Sequence, residues 1–326
     1  MDTVIIIALF VLGLILIIKG GDWFVDSAVW IANATGIPKF IIGATVVSLA
    51  TTLPELTVSV TGVLGGELDM AVGNAVGSVT ANIGLIMGIS LVCLPAVIKR
   101  SQFWLKAVLM SLAAALLWLM CRSGTLVLSQ GLLLLLVFAV FIFDNIRSAK
   151  NNIGSEEKEP VDKKALPKML LLFVLGIAAI VVGSQLLIDY GCKIALLLGV
   201  PSAIIGVTMV AIGTSLPELV TTITAIAKKE SSMSIGNIIG ANVIDLTLIL
   251  PVCSMFSGGG LKIAEQSYAL DMPVCLGMTL LAILPPLITG KLYRWQGATL
   301  LLCYAAYVAV LVTQYGVSIK RPGQSS

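Results

Sequence analysis

One stretch of this chain is written twice. Ala50-Thr51-Thr52-Leu53-Pro54-Glu55 returns 163 positions later as Gly213-Thr214-Ser215-Leu216-Pro217-Glu218. The register holds without a gap: Asp26 falls on Asp189, Pro38 on Pro201, Gly73-Asn74 on Gly236-Asn237, and Asn82 on Asp245. Between residues 26 and 88 there are 23 identities in 63 positions. Shared apolar composition produces chance matches of Leu and Ile, but not matched Pro, Glu and Asn. The chain is therefore two copies of one unit.

Both copies lie in sequence that only a bilayer can solvate. The chain is 58% hydrophobic and 11% charged, with mean hydropathy +1.05, beyond what a soluble domain can hide. Apolar runs of about 17–25 residues recur from end to end, the length a membrane helix needs. About ten spans are expected, near 3–31, 39–65, 70–97, 103–121, 125–146, 167–197, 202–227, 233–256, 269–289 and 295–315. Runs such as Leu132 to Leu136 do not alternate in polarity, which excludes a β-barrel reading. The expected fold is an all-α membrane protein. The first span is expected to be retained, because Asp2 stands where a signal peptide carries basic charge.

The polar stretch 147–166 divides the chain into repeats at 1–146 and 167–326, five spans each. Its mixed charges and its Asn, Gly and Pro breakers read as a cytoplasmic tether. An odd number of spans per repeat makes the second enter from the opposite side. This inverted-topology arrangement places a site near the midplane, on interrupted helices. With the N-terminus outside, 15 of the 20 basic residues fall on the inner side, so both termini are expected outside. The cations are dispersed over loops, which argues against nucleic acid as a partner.

Pro54 and Pro217 lie mid-span, where each removes a donor and breaks the helix. Backbone oxygens from Ser48 to Thr51 and from Ala211 to Thr214 are freed, and in a membrane they need a partner. The hydroxyls of Thr51, Thr52, Thr214 and Ser215 stand beside them, with Glu55 and Glu218 on the same local turn. A carboxylate in hydrocarbon is costly and marks a functional position. Carboxylate, hydroxyl and carbonyl oxygens together suit a hard cation such as calcium, whose charge two glutamates balance; sodium accepts the same oxygens.

Asn82 and Asp245 are polar and deep in apolar sequence. Asp245 adds a third carboxylate, expected to be protonated or paired with Asn82 when calcium is bound. Gly73, Gly77, Gly236 and Gly240 are spaced for close helix packing. Asp22, Asp26 and Asp189 suit structural pairing or an entry path. Glu67, Asp69, Glu230, Glu265 and Asp271 fall at predicted span ends and are expected to be solvated. The six cysteines form no paired motif, and the absence of histidine argues against most transition-metal sites. No cofactor is expected.

On these residues the chain resembles the cation/calcium exchanger superfamily, in particular its prokaryotic sodium/calcium exchangers. The most specific element is Gly213-Thr214-Ser215-Leu216-Pro217-Glu218, followed by Gly236-Asn237-Ile238-Ile239-Gly240. The resemblance implies that Glu55 and Glu218 are the principal calcium ligands and that Thr51 and Thr214 contribute backbone oxygens. It places Asn82 and Asp245 in the central site. Ser78, Thr52 and Ser215, with the carbonyls of Ser48 and Ala211, would help form flanking sodium sites. The chain departs from the family pattern at Ala50, Val79, Thr80 and Ala241.

The reading these features support is an antiporter exchanging Ca2+ for Na+ across the plasma membrane, acting as a monomer and not as an enzyme. Calcium/proton exchange, a potassium-dependent variant and, in a different class, a cation channel are the alternatives.

Overall fold

The computed structural model describes residues 3–152, 163–198 and 215–315. Eight of its helices are long and apolar enough to cross a membrane, or nine if one bent pair counts as a single span. In chain order the helices are α1 (Thr3–Thr35), α2 (Lys39–Thr51), α3 (Leu53–Leu64), α4 (Met70–Cys93), α5 (Arg100–Ser123), α6 (Leu128–Asn151), α7 (Leu166–Leu197), α8 (Leu216–Ala227), α9 (Ser231–Phe256), α10 (Ser267–Thr289) and α11 (Arg294–Gln314). α2 and α3 are the bent pair, turned by 40° at Thr52. α8 is the end of the expected span 202–227, whose earlier residues lie outside those described.

α4 and α9 form the centre. They are 72% and 83% buried, against 22–44% for the other six long spans. Glycine lets the broken helix approach them: a Cβ on Gly236 would collide with the Phe40 carbonyl, and one on Gly43 with the Met233 carbonyl. Gly240 sits equally tightly on Ala44 and Ser48. At Gly73 and Gly77 no described atom lies within reach of an added Cβ.

α1 and α7 stand apart as a long antiparallel pair of 33 and 32 residues. At about 1.5 Å per residue each is near 50 Å long, so it must tilt to fit a hydrocarbon core of about 30 Å. Small residues set their crossing. A Cβ on Gly13 would lie 3.0 Å from the Gly183 carbonyl, and one on Gly20 would lie 2.9 Å from that of Gly176. The 163-residue offset maps Gly13 onto Gly176 and Gly20 onto Gly183, so each contact is the other's image. The repeat in the sequence is thus a pseudo-two-fold in the fold, and the fold is built of two inverted five-span repeats.

Two short tethers join the repeats outside the bundle. Strand β1 (Thr125–Leu126) pairs antiparallel with β2 (Leu261–Lys262). Val97 bridges Lys291, with Ile98 N–H donating to the Gly290 carbonyl at 3.0 Å and Leu292 N–H to that of Ala96 at 2.9 Å.

Candidate cation site

The break at Thr52 is local in cause. Pro54 has no N–H for the Ala50 carbonyl, one turn back, and the following helix starts afresh at Leu53 with proline in its first turn. Glu55 therefore sits in the first turn of α3, and Glu218 holds the equivalent place in α8. Both side chains are 1% exposed, as is Asp245.

The three acids come from different helices and interact electrostatically, Glu55 with both Glu218 and Asp245. Five of their six carboxylate oxygens are buried without a hydrogen-bond partner: Glu55 Oε2, both oxygens of Glu218 and both of Asp245. The Ser215 hydroxyl is buried and unpartnered beside Glu218 in the chain, and Asn82 Oδ1 is unpartnered too. Thr51 stands next to the Glu218 carboxylate, its hydroxyl 3.4 Å from Asn237 Oδ1 and 3.3 Å from the Ser48 carbonyl. No group of three or more acidic, His or Cys side chains among the described residues forms a metal cluster alone. A cation here must be completed by hydroxyl, amide and backbone oxygens, which suits a hard ion.

Glu55, Glu218, Asp245, Asn82, Thr51, Thr52, Ser215, Ser78 and Ser48 are all buried. Thr214 and Ala211 lie outside the described residues. One expectation needs correction. The Ser48 carbonyl is not free in this state, because Thr52 N–H donates to it at 3.0 Å and the Thr52 hydroxyl donates to it as well. The Asn82 amide donates to Asn242 Oδ1 at 3.1 Å.

Three asparagines given no role from sequence turn out to frame the site. Asn74 Nδ2 donates to Ser59 Oγ at 2.9 Å and to the Glu55 carbonyl at 3.4 Å. Asn237, its repeat partner, donates to Thr221 Oγ1 at 3.1 Å, and Thr221 donates to the Glu218 carbonyl at 3.0 Å. In each repeat the asparagine holds the turn that carries the glutamate. The matched Gly-Asn pairs were the available signal. Asn242, the third, holds Asn82. Both polar positions at the centre, Asn82 and Asp245, begin π-helical turns, Asn82–Met87 and Asp245–Ile249. Such turns widen a helix locally and recur at functional sites.

Other acids also depart from expectation. Asp271 is 5% exposed rather than solvated, because the Tyr307 hydroxyl donates to it at 2.9 Å. Glu230 accepts from Lys39 at 2.7 Å. Asp144, just before the polar stretch, pairs at 2.6 Å with Lys106, whose side chain is fully buried.

On the side of α1 and α7 the site is closed by Phe24, which shares a narrow gap with Thr51, Ile180 and Pro217. The closure is uneven. Gly21 of α1 packs against Val220 and Thr224 of α8. No comparable packing joins the repeat-related pair, α7 and α3, among the described residues. There Thr57 and Thr61, the counterparts of Val220 and Thr224, are exposed.

The family model described as sodium/calcium exchanger protein matches residues 5–146 and 168–313. The chain is 30% identical to sodium/calcium exchanger MaX1 of Methanosarcina acetivorans, over 92% of its own length and 96% of that protein. It is 33% identical to the inner membrane protein YrbG of Escherichia coli strain K12, over 82% and 85%. Its fold is similar to that of the sodium-calcium exchanger NCX_Mj, with TM-score 0.82 and 31% identity over 95% of this chain and 100% of that one.

Proposed function

We infer the function from one premise: the chain belongs to the sodium/calcium exchanger family. On that premise it is a secondary antiporter that exchanges Ca2+ for Na+. The observation that carries the site is the set of five buried, unpartnered carboxylate oxygens contributed by both repeats. Ordinary folding does not leave such oxygens bare, since each costs free energy that only a cation, a proton or a donor repays.

Glu55 and Glu218 are the charge-balancing ligands for calcium, with Thr51 and Thr214 adding backbone oxygens and Asn82 and Asp245 facing the same centre. Thr52, Ser215 and Ser78, with the carbonyls of Ser48 and Ala211, supply oxygens for sodium. One chain provides both halves of the site, so a monomer suffices. Exchange is obligatory because bare carboxylates oppose passage of the empty site through a closed, dry state. A loaded site passes freely. Alternating access follows from exchanging the packed α1–α8 contact for its image between α7 and α3. With both termini outside, as the basic residues favour, the state described opens outward.

Radiolabelled calcium uptake into sodium-loaded proteoliposomes tests this reading, with Glu55→Gln and Glu218→Gln beside the parent chain. Uptake should require internal sodium and vanish in both variants. Sodium-dependent uptake that survives both would remove the carboxylates from the site; uptake driven only by a pH gradient would change the coupling ion.

A further inference from the structure

The Val97–Lys291 bridge brings together loops from the two repeats, and both loops are basic. Lys99 and Arg100 lie on one, Lys291 and Arg294 on or beside the other, and all four side chains are exposed. The Arg100 guanidinium reaches over Gly290, with Nε 3.6 Å from the position of an added Cβ. Among the described residues none of the four takes part in an ion pair. The sequence offers none nearby: no Asp or Glu occurs between Asp69 and Asp144, or after Asp271. Helices α5 and α11 both begin here, adding the positive ends of two dipoles.

Aromatic rings mark the level of this cluster in the membrane. Trp104 is 51% and Trp295 55% exposed, and Tyr293 stacks on Trp295 at 6.2 Å between ring centres. Exposed Trp and Tyr rings sit at the headgroup level of a bilayer. The four cations therefore stand where lipid phosphates are. The pseudo-two-fold shows that the fold does not demand them. At the β1–β2 tether Ile263 N–H donates to the Gly124 carbonyl as Ile98 N–H does to that of Gly290, which places Ala264, Glu265, Thr125 and Leu128 at the four related positions. No cation stands at any of them. The general preference for basic inner loops accounts for the side, but not for four unpaired cations on a single hydrogen-bonded loop pair.

We propose that this loop pair is a headgroup site for an anionic phospholipid, whose phosphate is held between the two repeats. The inference rests on the membrane placement of the chain and not on the ions it exchanges. The test is native mass spectrometry of the purified full-length protein in neutral detergent, titrated with phosphatidylglycerol, with phosphatidylcholine, and with inorganic phosphate as competitor. Phosphatidylglycerol should be retained preferentially. Each cation near a membrane surface contributes about fivefold to such binding. The Lys99→Gln/Arg100→Gln and Lys291→Gln/Arg294→Gln pairs should each weaken it about twenty-fivefold, whereas Lys150→Gln/Lys168→Gln should leave it unchanged. Equal retention of the two lipids would overturn the proposal, as would binding unaffected by either pair in monodisperse protein. Displacement by inorganic phosphate at equal concentration would show a free-anion site and overturn the lipid assignment.

Discussion

Asn82 donates its amide to the side-chain oxygen of Asn242 across 3.1 Å. The 163-residue offset turns this pair into Asp245 and Val79. Valine carries no donor, so the image of the hydrogen bond is missing and both oxygens of Asp245 are unpartnered. The two repeats thus differ at their centre: one polar side chain is tied down and the other has no hydrogen-bond partner. Restoring the image with Val79→Asn should engage Asp245. A hydrogen bond to a charged group contributes about 1.5–3 kcal/mol. The calcium concentration for half-maximal uptake should rise roughly tenfold or more. Unchanged calcium dependence in the folded variant would show that Asp245 does not meet the ion.

Lys106 and Asp144 form a second test, of stability rather than transport. The ammonium is fully buried and reaches Asp144 at 2.6 Å, with the Phe40 ring centre 6.0 Å away. Removing one partner strands a buried charge at a cost of about 3–5 kcal/mol. Asp144→Asn should lower the thermal unfolding midpoint in detergent sharply. Combining it with Lys106→Met should restore most of the loss, because the stranded charge is gone. A double variant no more stable than Asp144→Asn would mean that the pair acts through geometry and not charge.

Much of this architecture was legible in the chain. The offset that aligns Pro54 with Pro217 also aligns Gly13 with Gly176, and the structure uses it at both places. Glu55, Glu218 and Asp245 could be chosen because a carboxylate in hydrocarbon needs a reason. What the sequence hid was facing. Asn237 lies in a repeated segment and Asn242 follows it on the same helix, yet nothing in one dimension says which helix an amide meets. Asp271 was misread for a related cause. Span ends were set by composition, and composition does not show that Tyr307, 36 residues on, reaches back to it.

Gly236 tests the close approach at the centre. A Cβ there meets the Phe40 carbonyl, which is backbone and cannot rotate away. Overpacking a tight contact costs about 1–3 kcal/mol, and more where backbone must move. Gly236→Ala should reduce the yield of monodisperse protein and abolish uptake in what remains. Gly277→Ala is the control, since no atom lies within 4 Å of its added Cβ. Helix propensity alone should make that change neutral or mildly stabilising, by up to about 1 kcal/mol. Equal behaviour of the two variants would contradict the packing described.

Lys228 offers the sharpest test of how the two access states are balanced. It follows α8 and bridges two acids on α1, Asp26 at 2.9 Å and Asp22 at 3.3 Å. Those acids are four residues apart on one helix face and repel each other without it. On α7 the related positions are Gln185 and Asp189, and Gln185 Nε2 donates to Asp189 at 2.9 Å. Gly65 takes the place of the lysine. One repeat is therefore latched to its neighbour, and the other is satisfied within itself. Burial pulls the Lys228 ammonium down, but the hydrogen bonds and charges of Asp26 and Asp22 outweigh it and hold the group above its ordinary value. A raised lysine stabilises fully below the ordinary value of about 10.4 and loses that contribution as pH rises through the folded value. The latch should thus persist across neutral pH, loosen only in strong alkali, and weaken with salt because its members are partly exposed. Lys228→Gln should raise amide hydrogen exchange in the second half of α1 while leaving α7 unchanged. Protection that is the same in both proteins, or lost equally from α1 and α7, would show that the ion pairs do not hold α1 against α8.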